Sequence, residues 1–137
     1  MKKRITFISD THTKHDKVSG FLTGGDLLVH AGDLTGRGYI NEIENFMKWY
    51  DNINNYDTKV FIAGNHDFGF ENDNEKVKGI LTGYKTIEYL QDDLLMVGDD
   101  YDDMVKIWGS PWQPEFYNWA FNLPRGEKLK EKWDMIP

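Results

Sequence analysis

Residues 59–69 read KVFIAGNHDFG, an apolar run that halts at Gly64 and is followed at once by Asn65, His66 and Asp67. A short apolar run with β-branched and aromatic members, closed by Gly, reads as a buried strand. An amide, an imidazole and a carboxylate then stand where that strand must end. Two earlier runs behave in the same way: RITFIS (4–9) stops at Asp10, and DLLVHA (26–31) stops at Gly32-Asp33. Between the second and third runs lies YINEIENFMKWYDNI (39–53), where Ile40, Ile43, Met47, Tyr50 and Ile53 recur at intervals of three and four, the period of an amphipathic helix. Strand, helix, strand is a βαβ crossover, so the neighbouring strands should run parallel and a ligand should bind beyond their carboxyl ends. The fold class is α/β.

At 137 residues the chain has the size of one ordinary domain, taken as 1–137. A hydrophobic fraction of 39% with 15% aromatic residues excludes a disordered chain, while a charged fraction of 28% and a mean hydropathy of -0.64 predict a strongly polar surface. There is no cysteine, so any metal must be held by His, Asp, Glu, Asn or main-chain oxygen. The basic start MKKRITFISD carries an apolar run too short for a signal peptide or membrane anchor; a cytoplasmic protein without a membrane association is expected. A formal net charge of -7 opposes unspecific nucleic-acid binding, which depends on Lys and Arg displacing phosphate counterions. A small phosphorylated substrate remains compatible, because bound cations invert the local field.

Further along, KTIEYL (85–90) and LLMVGDDYDDMVKIWGS (94–110) place apolar runs around an Asp-rich centre and predict a hairpin. Asp99, Asp100, Asp102 and Asp103 lack the spacing and closing Glu of a calcium loop and read as a solvated turn. LPRGEKLKEKWDMIP (123–137) predicts a C-terminal helix starting near Pro124, with Leu129 and Trp133 on one face. His30, at the end of an apolar strand, is expected to be a hydrogen-bonded core residue, and His15 to face solvent. Trp112, Phe116, Tyr117 and Trp119 are expected to fill the core, with stacking on a nucleobase as the alternative.

Read together, the strand ends carry SDTH, AGDL and GNHD. Taken singly, Asp10 and Asp33 are also good helix N-caps and Asn65 a good turn former. Three consecutive strands that each end in a small-residue-flanked ligand type are much harder to explain by capping. Asp10, His12, Asp33 and Asn65 are the candidate ligands, and Arg37, in TGRG, either clamps a phosphate oxygen or faces solvent.

The ordered set D-x-H, G-D and G-N-H-D resembles the calcineurin-like metallophosphoesterases, and HAGDLTGRG (30–38) with GSPWQPEFYNWAFNLPRGEKLKEKW (109–133) resembles the metallophosphoesterase-domain-containing branch. The resemblance covers Ile5 to Pro137. It implies an α/β/β/α sandwich with a two-metal centre at the strand ends, and hydrolysis of a phosphoester, a phosphodiester first, with a nucleotide among the candidate substrates. Carried over, it implies that Asp10 and His12 hold one divalent ion (Mn, Fe or Zn), that Asp33 bridges both and that Asn65 holds the second. His66 is then the catalytic general acid at the leaving oxygen.

The family has further His ligands in segments like T-H-G-P-P and G-H-x-H, and this sequence reaches Pro137 before either. A C-terminally truncated form of the sandwich is therefore expected, with one better-formed metal site and one weaker. Apolar surface left uncovered by the missing strands predicts a homo-oligomer or a complementing C-terminal polypeptide. A fragment, a self-completing short form and an inactive remnant are the three open readings, so a catalytically silent binding or assembly module stands beside the enzyme.

Overall fold

Four short strands, Ile5–Ile8 (β1), Gly25–His30 (β2), Tyr56–Phe61 (β3) and Ile87–Tyr89 (β4), pair in that order and all in parallel, in a computed structural model that describes residues 2–137. The connections that allow parallel pairing are a 3-10 turn at His15–Phe21, the helix Ile40–Asn52 (α1), and two short helices, Phe68–Asn72 (α2) and Asn74–Leu81 (α3). The first three strands and α1 lie where apolar runs and periodicity place them. The pair α2–α3 was not foreseen, because helices of 5 and 8 residues carry too few turns for a period to emerge.

Registered residues of parallel strands share a face. One face presents Leu28, His30, Lys59 and Phe61 to the helices. There α1 buries Ile43, Met47 and Tyr50, joined by Phe46, whose ring lies 5.1–5.4 Å from those of Tyr50, His30 and Phe61. The Tyr50 hydroxyl sits 2.8 Å from the Val60 carbonyl and 3.0 Å from that of Leu28, donating between two strands, and burial raises its pKa. Lys59 is buried among these apolar groups because its ammonium donates to the carbonyls of Tyr50, Asp51 and Ile53 at 2.7–2.9 Å. It thereby serves the orphan acceptors at the end of α1, where no glycine cap is present. Burial lowers its pKa.

The opposite face carries Leu27, Val29 and Val60, covered with Leu90 by Leu95 and Ile107 of an antiparallel hairpin, Asp93–Val97 (β5) and Val105–Gly109 (β6). The hairpin is the one expected around the Asp-rich centre. At its tip Asp99, Asp100 and Asp102 are exposed, and Asp103 pairs with Lys3 at 3.1 Å. Helices, parallel sheet and second β layer form the mixed α/β arrangement of the expected sandwich. β1 is an edge strand, and its Phe7, in register with Val29, is 69% exposed. Among the described residues no helix is long and apolar enough to cross a membrane.

Three expectations are corrected. The last helix spans Glu127–Trp133 (α4) and begins after Gly126, whose φ of 100° breaks the backbone there, so Pro124 precedes the helix instead of opening it. Leu129 and Trp133 stand four apart on this helix as expected, the first buried and the second 47% exposed. His15 is buried, not solvent-facing, with its ring 4.8 Å from that of Trp49, and burial lowers its pKa. Phe116 and Tyr117 are 68% and 79% exposed, so the core reading fails for both, whereas Trp112 and Trp119 are half-buried. Their loop closes through the short parallel pair Gln113–Pro114 (β7) and Asn122–Leu123 (β8).

Candidate metal centre

The loops that leave β1, β2 and β3 converge. After β1 the backbone turns left-handed at Asp10, His12 and Thr13 (φ 55°, 42° and 69°), and after β2 it does so at Asp33 (φ 55°). Non-glycine residues at such angles are strained, and strain persists only where neighbours fix it. Here the neighbours are amide bonds from one loop to the other: Asp10 donates to the Gly32 carbonyl at 3.0 Å, His12 to that of Asp33 at 3.0 Å, and Thr13 to that of Leu34 at 2.9 Å. Gly64 is required by close approach, since a Cβ there would overlap the Asp33 carboxylate and amide.

This stitching brings the expected residues together. Asp33 is buried, with one carboxylate oxygen accepting the His66 amide at 2.9 Å and the other 3.8 Å from His12 Nε2. Asp10 Oδ1 stands 3.9 Å from the same Nε2, on a side chain 66% exposed. His12 Nδ1 lies 3.0 Å from the Thr35 carbonyl, and His66 Nδ1 lies 3.0 Å from that of Gly36. A carbonyl can only accept, so both Nδ1 atoms carry hydrogen, and in the neutral rings both Nε2 lone pairs are left free. The ligand atoms of His12, Asp33 and His66 all lie within 4.8 Å of one another. His66, assigned to the leaving oxygen from the sequence, therefore stands inside the tightest group, with Asp10 beside it. Asn65 is half-buried and lines a cleft of about 290 Å³ with Asp10 and Asp33. Arg37 is exposed at the rim of a separate cavity with Phe68, Tyr117, Asn118 and Trp119. A larger cavity of about 640 Å³ around His15 and Trp49 holds none of these ligands.

The donor set fits a divalent transition metal. Two ligands of one such ion at ~2.1 Å lie roughly 3–4 Å apart, and the contacts of 3.8 and 3.9 Å at His12 Nε2 have that spacing. Imidazole and carboxylate are ligand types that divalent cations accept.

Two further residues organise the centre. Asp67 is fully buried, and its carboxylate accepts the amides of Gly64 (2.7 Å), Thr35 (3.0 Å) and Leu34 (3.2 Å) and the Thr35 hydroxyl (2.6 Å). It clamps the loop bearing Asp33 to the loop bearing Asn65 and His66. Burial pushes its pKa up, against hydrogen bonds that favour the charged form. The sequence signal that could have found it is a carboxylate set before Phe68-Gly69-Phe70, since an acid in apolar company is retained when backbone amides satisfy it.

His30 is the second. Its Nδ1 accepts the Gly32 amide at 3.3 Å, so Nε2 carries the hydrogen and donates to Thr11 Oγ1 at 2.9 Å. This core role is the one expected, and burial lowers its pKa to about 3. The unfolded ring takes a proton below ~6.5 while the folded one stays neutral, so stability should fall as pH drops from there towards 3. The loss is limited to about 1.4 kcal/mol per pH unit. Urea unfolding at pH 7 and pH 5 should show this decline in the native chain and a flatter response in His30→Gln. An equal decline in both would assign the effect to other groups.

Residues 3–131 match the family model described as calcineurin-like phosphoesterase. The chain is 36% identical to "Metallophosphoesterase domain-containing protein 1" of Homo sapiens and of Mus musculus, over 98% of this chain and 45% of each relative. A UPF0046 protein of Caenorhabditis elegans is 34% identical over 99% of this chain and 50% of its own length. The chain thus spans about half the length of the curated relatives it matches.

Proposed function

Since the chain belongs to the calcineurin-like phosphoesterase family, whose chemistry is metal-dependent hydrolysis of phosphoesters, we propose that it acts on a small phosphodiester at the ends of β1, β2 and β3. The observation that carries this reading is the approach of His12, Asp33 and His66 within 4.8 Å, with both imidazole Nδ1 atoms tied back to carbonyls. Asp10, His12 and Asp33 hold one divalent ion in this proposal, and Asp33 and Asn65 hold a second, weaker one. Such ions supply positive charge against the phosphate and make the attacking water more acidic. His66 keeps Nδ1–H on the Gly36 carbonyl, and its Nε2, when protonated, gives that proton to the departing oxygen.

Phe7, exposed on the edge strand, supports association with a second copy or a complementing polypeptide that adds donors. A nucleotide is among the candidate substrates. A cysteine-free sequence agrees with a reducing compartment, and the cytoplasm belongs to the same proposal.

The test is hydrolysis of bis(p-nitrophenyl) phosphate by the purified chain with Mn²⁺ or EDTA, with metal content and sedimentation read on the same sample. Manganese-dependent turnover in a species larger than the monomer is expected. Bound metal without turnover on this diester or on p-nitrophenyl phosphate would make the chain a silent binding module.

A further inference from the structure

We infer that the open cleft lined by Arg37, Phe68, Tyr117, Asn118 and Trp119 is a substrate subsite that accepts a planar aromatic or heteroaromatic group carried by the phosphoester. The inference rests on the phosphoesterase reading above and adds to it the class of the organic group. The cavity measures about 460 Å³, a volume typical of small-molecule sites. It begins where the centre ends, for the Trp119 indole lies 4.2 Å from the His66 imidazole at an interplanar angle of 33°. Phe68 forms a second wall, 6.3 Å from Trp119 and 32° from parallel. A flat group leaving the phosphate past His66 would meet an aromatic face at once.

The aromatic loop is built and not loose. The Ala120 amide donates to the Asn65 carbonyl at 3.0 Å and that of Phe121 to Glu71 Oε2 at 2.7 Å, which ties the loop to a candidate ligand residue and to α2. The Asn122 side-chain amide donates to the carbonyls of Phe116 (3.2 Å) and Tyr117 (2.8 Å), holding Tyr117 at a left-handed φ of 52°. Ala120 and Phe121 of this loop join the core, whereas Tyr117 is 79% exposed, so its ring adds nothing to that packing. A fixed and strained backbone that displays an aromatic ring beside a cavity suits stacking on a ligand. Arg37 adds a cation at the same rim, and its guanidinium makes no ion pair among the described residues; it can meet a phosphate oxygen or lie against the aromatic group.

The experiment is calorimetric titration of the Mn²⁺-loaded chain with phenyl phosphate, methyl phosphate and inorganic phosphate. Phenyl phosphate should bind roughly tenfold more tightly than methyl phosphate. That preference should vanish in Trp119→Ala, largely survive in Trp119→Phe and shrink in Tyr117→Ala, a change at an exposed side chain that leaves the fold intact. Inorganic phosphate should bind all four proteins alike. Equal affinities for the phenyl and methyl esters, or a preference that persists in Trp119→Ala, would overturn the subsite while phosphate binding left the metal centre standing. Failure of inorganic phosphate itself to bind would overturn the phosphoesterase reading and the subsite with it.

Discussion

Asp67→Ala should lower the unfolding free energy by about 4 kcal/mol and with it the affinity for Mn²⁺. Four donors converge on this one carboxylate: the amides of Gly64, Leu34 and Thr35 and the Thr35 hydroxyl. Truncation leaves them buried without an acceptor, and each such group costs about 1–3 kcal/mol before relaxation. Local rearrangement and entering water recover part of that sum, which is why the estimate is about 4 kcal/mol and not the full total. With an m value near ~2 kcal/mol/M, the urea midpoint should fall by about 2 M. The metal effect follows from position, because the lost bonds join the loop of Asp33 to the loop of Asn65 and His66. A midpoint shift below ~0.5 M would show that these amides find other partners easily and that the clamp is dispensable.

The clamp also shows where sequence reading loses its grip. The strand ends at Asp10, Asp33 and Asn65 were legible because an apolar run that stops at a ligand type is a local pattern, and α1 was legible because 13 residues display a full helical period. Asp67 takes the Gly64 amide locally, but its other partners lie 32 and 33 residues away, so a local pattern marks the acid and not the loop it holds. His15 sits in a polar stretch, HTKH, and is buried because Phe46 and Trp49 of α1 pack against its ring. Pro124 looked like a helix start by its fixed φ, yet Gly126, two residues on, sets the boundary by a φ of 100°. In the aromatic stretch hydrophobicity alone points to the core, whereas the Asn122 side-chain amide holds the carbonyls of Phe116 and Tyr117 with both rings at the surface. The ligand types could be read from the sequence. The clustering of His66 with His12 and Asp33 could not, because it depends on two carbonyls, of Thr35 and Gly36, that turn both rings.

That clustering sharpens the contrast between Asp33→Asn and His66→Ala. Asp33 is the residue proposed to bridge two ions, so replacing its carboxylate by an amide removes the negative charge both ions face and should deplete both. The amide keeps one oxygen that can go on accepting the His66 N–H, now held by an Asp33 oxygen at 2.9 Å, so the loop contact survives and the defect is one of charge. His66→Ala removes a ring whose role in the proposal is proton transfer. It should leave the Mn²⁺ content close to that of the native chain and cut turnover of a diester with a basic alkoxide leaving group by roughly 10²-fold or more, as for a lost general acid. The choice of ester separates the roles further. A leaving group that departs well unaided needs little protonation, so His66→Ala should cost least with p-nitrophenolate and more as the leaving alcohol becomes more basic. Asp33→Asn should slow every ester alike, because its defect lies in metal loading. Elemental analysis of the two variants beside the native chain decides the matter: equal metal loss in both would make His66 a ligand of the group it shares with His12 and Asp33, and would pass the proton transfer to another residue.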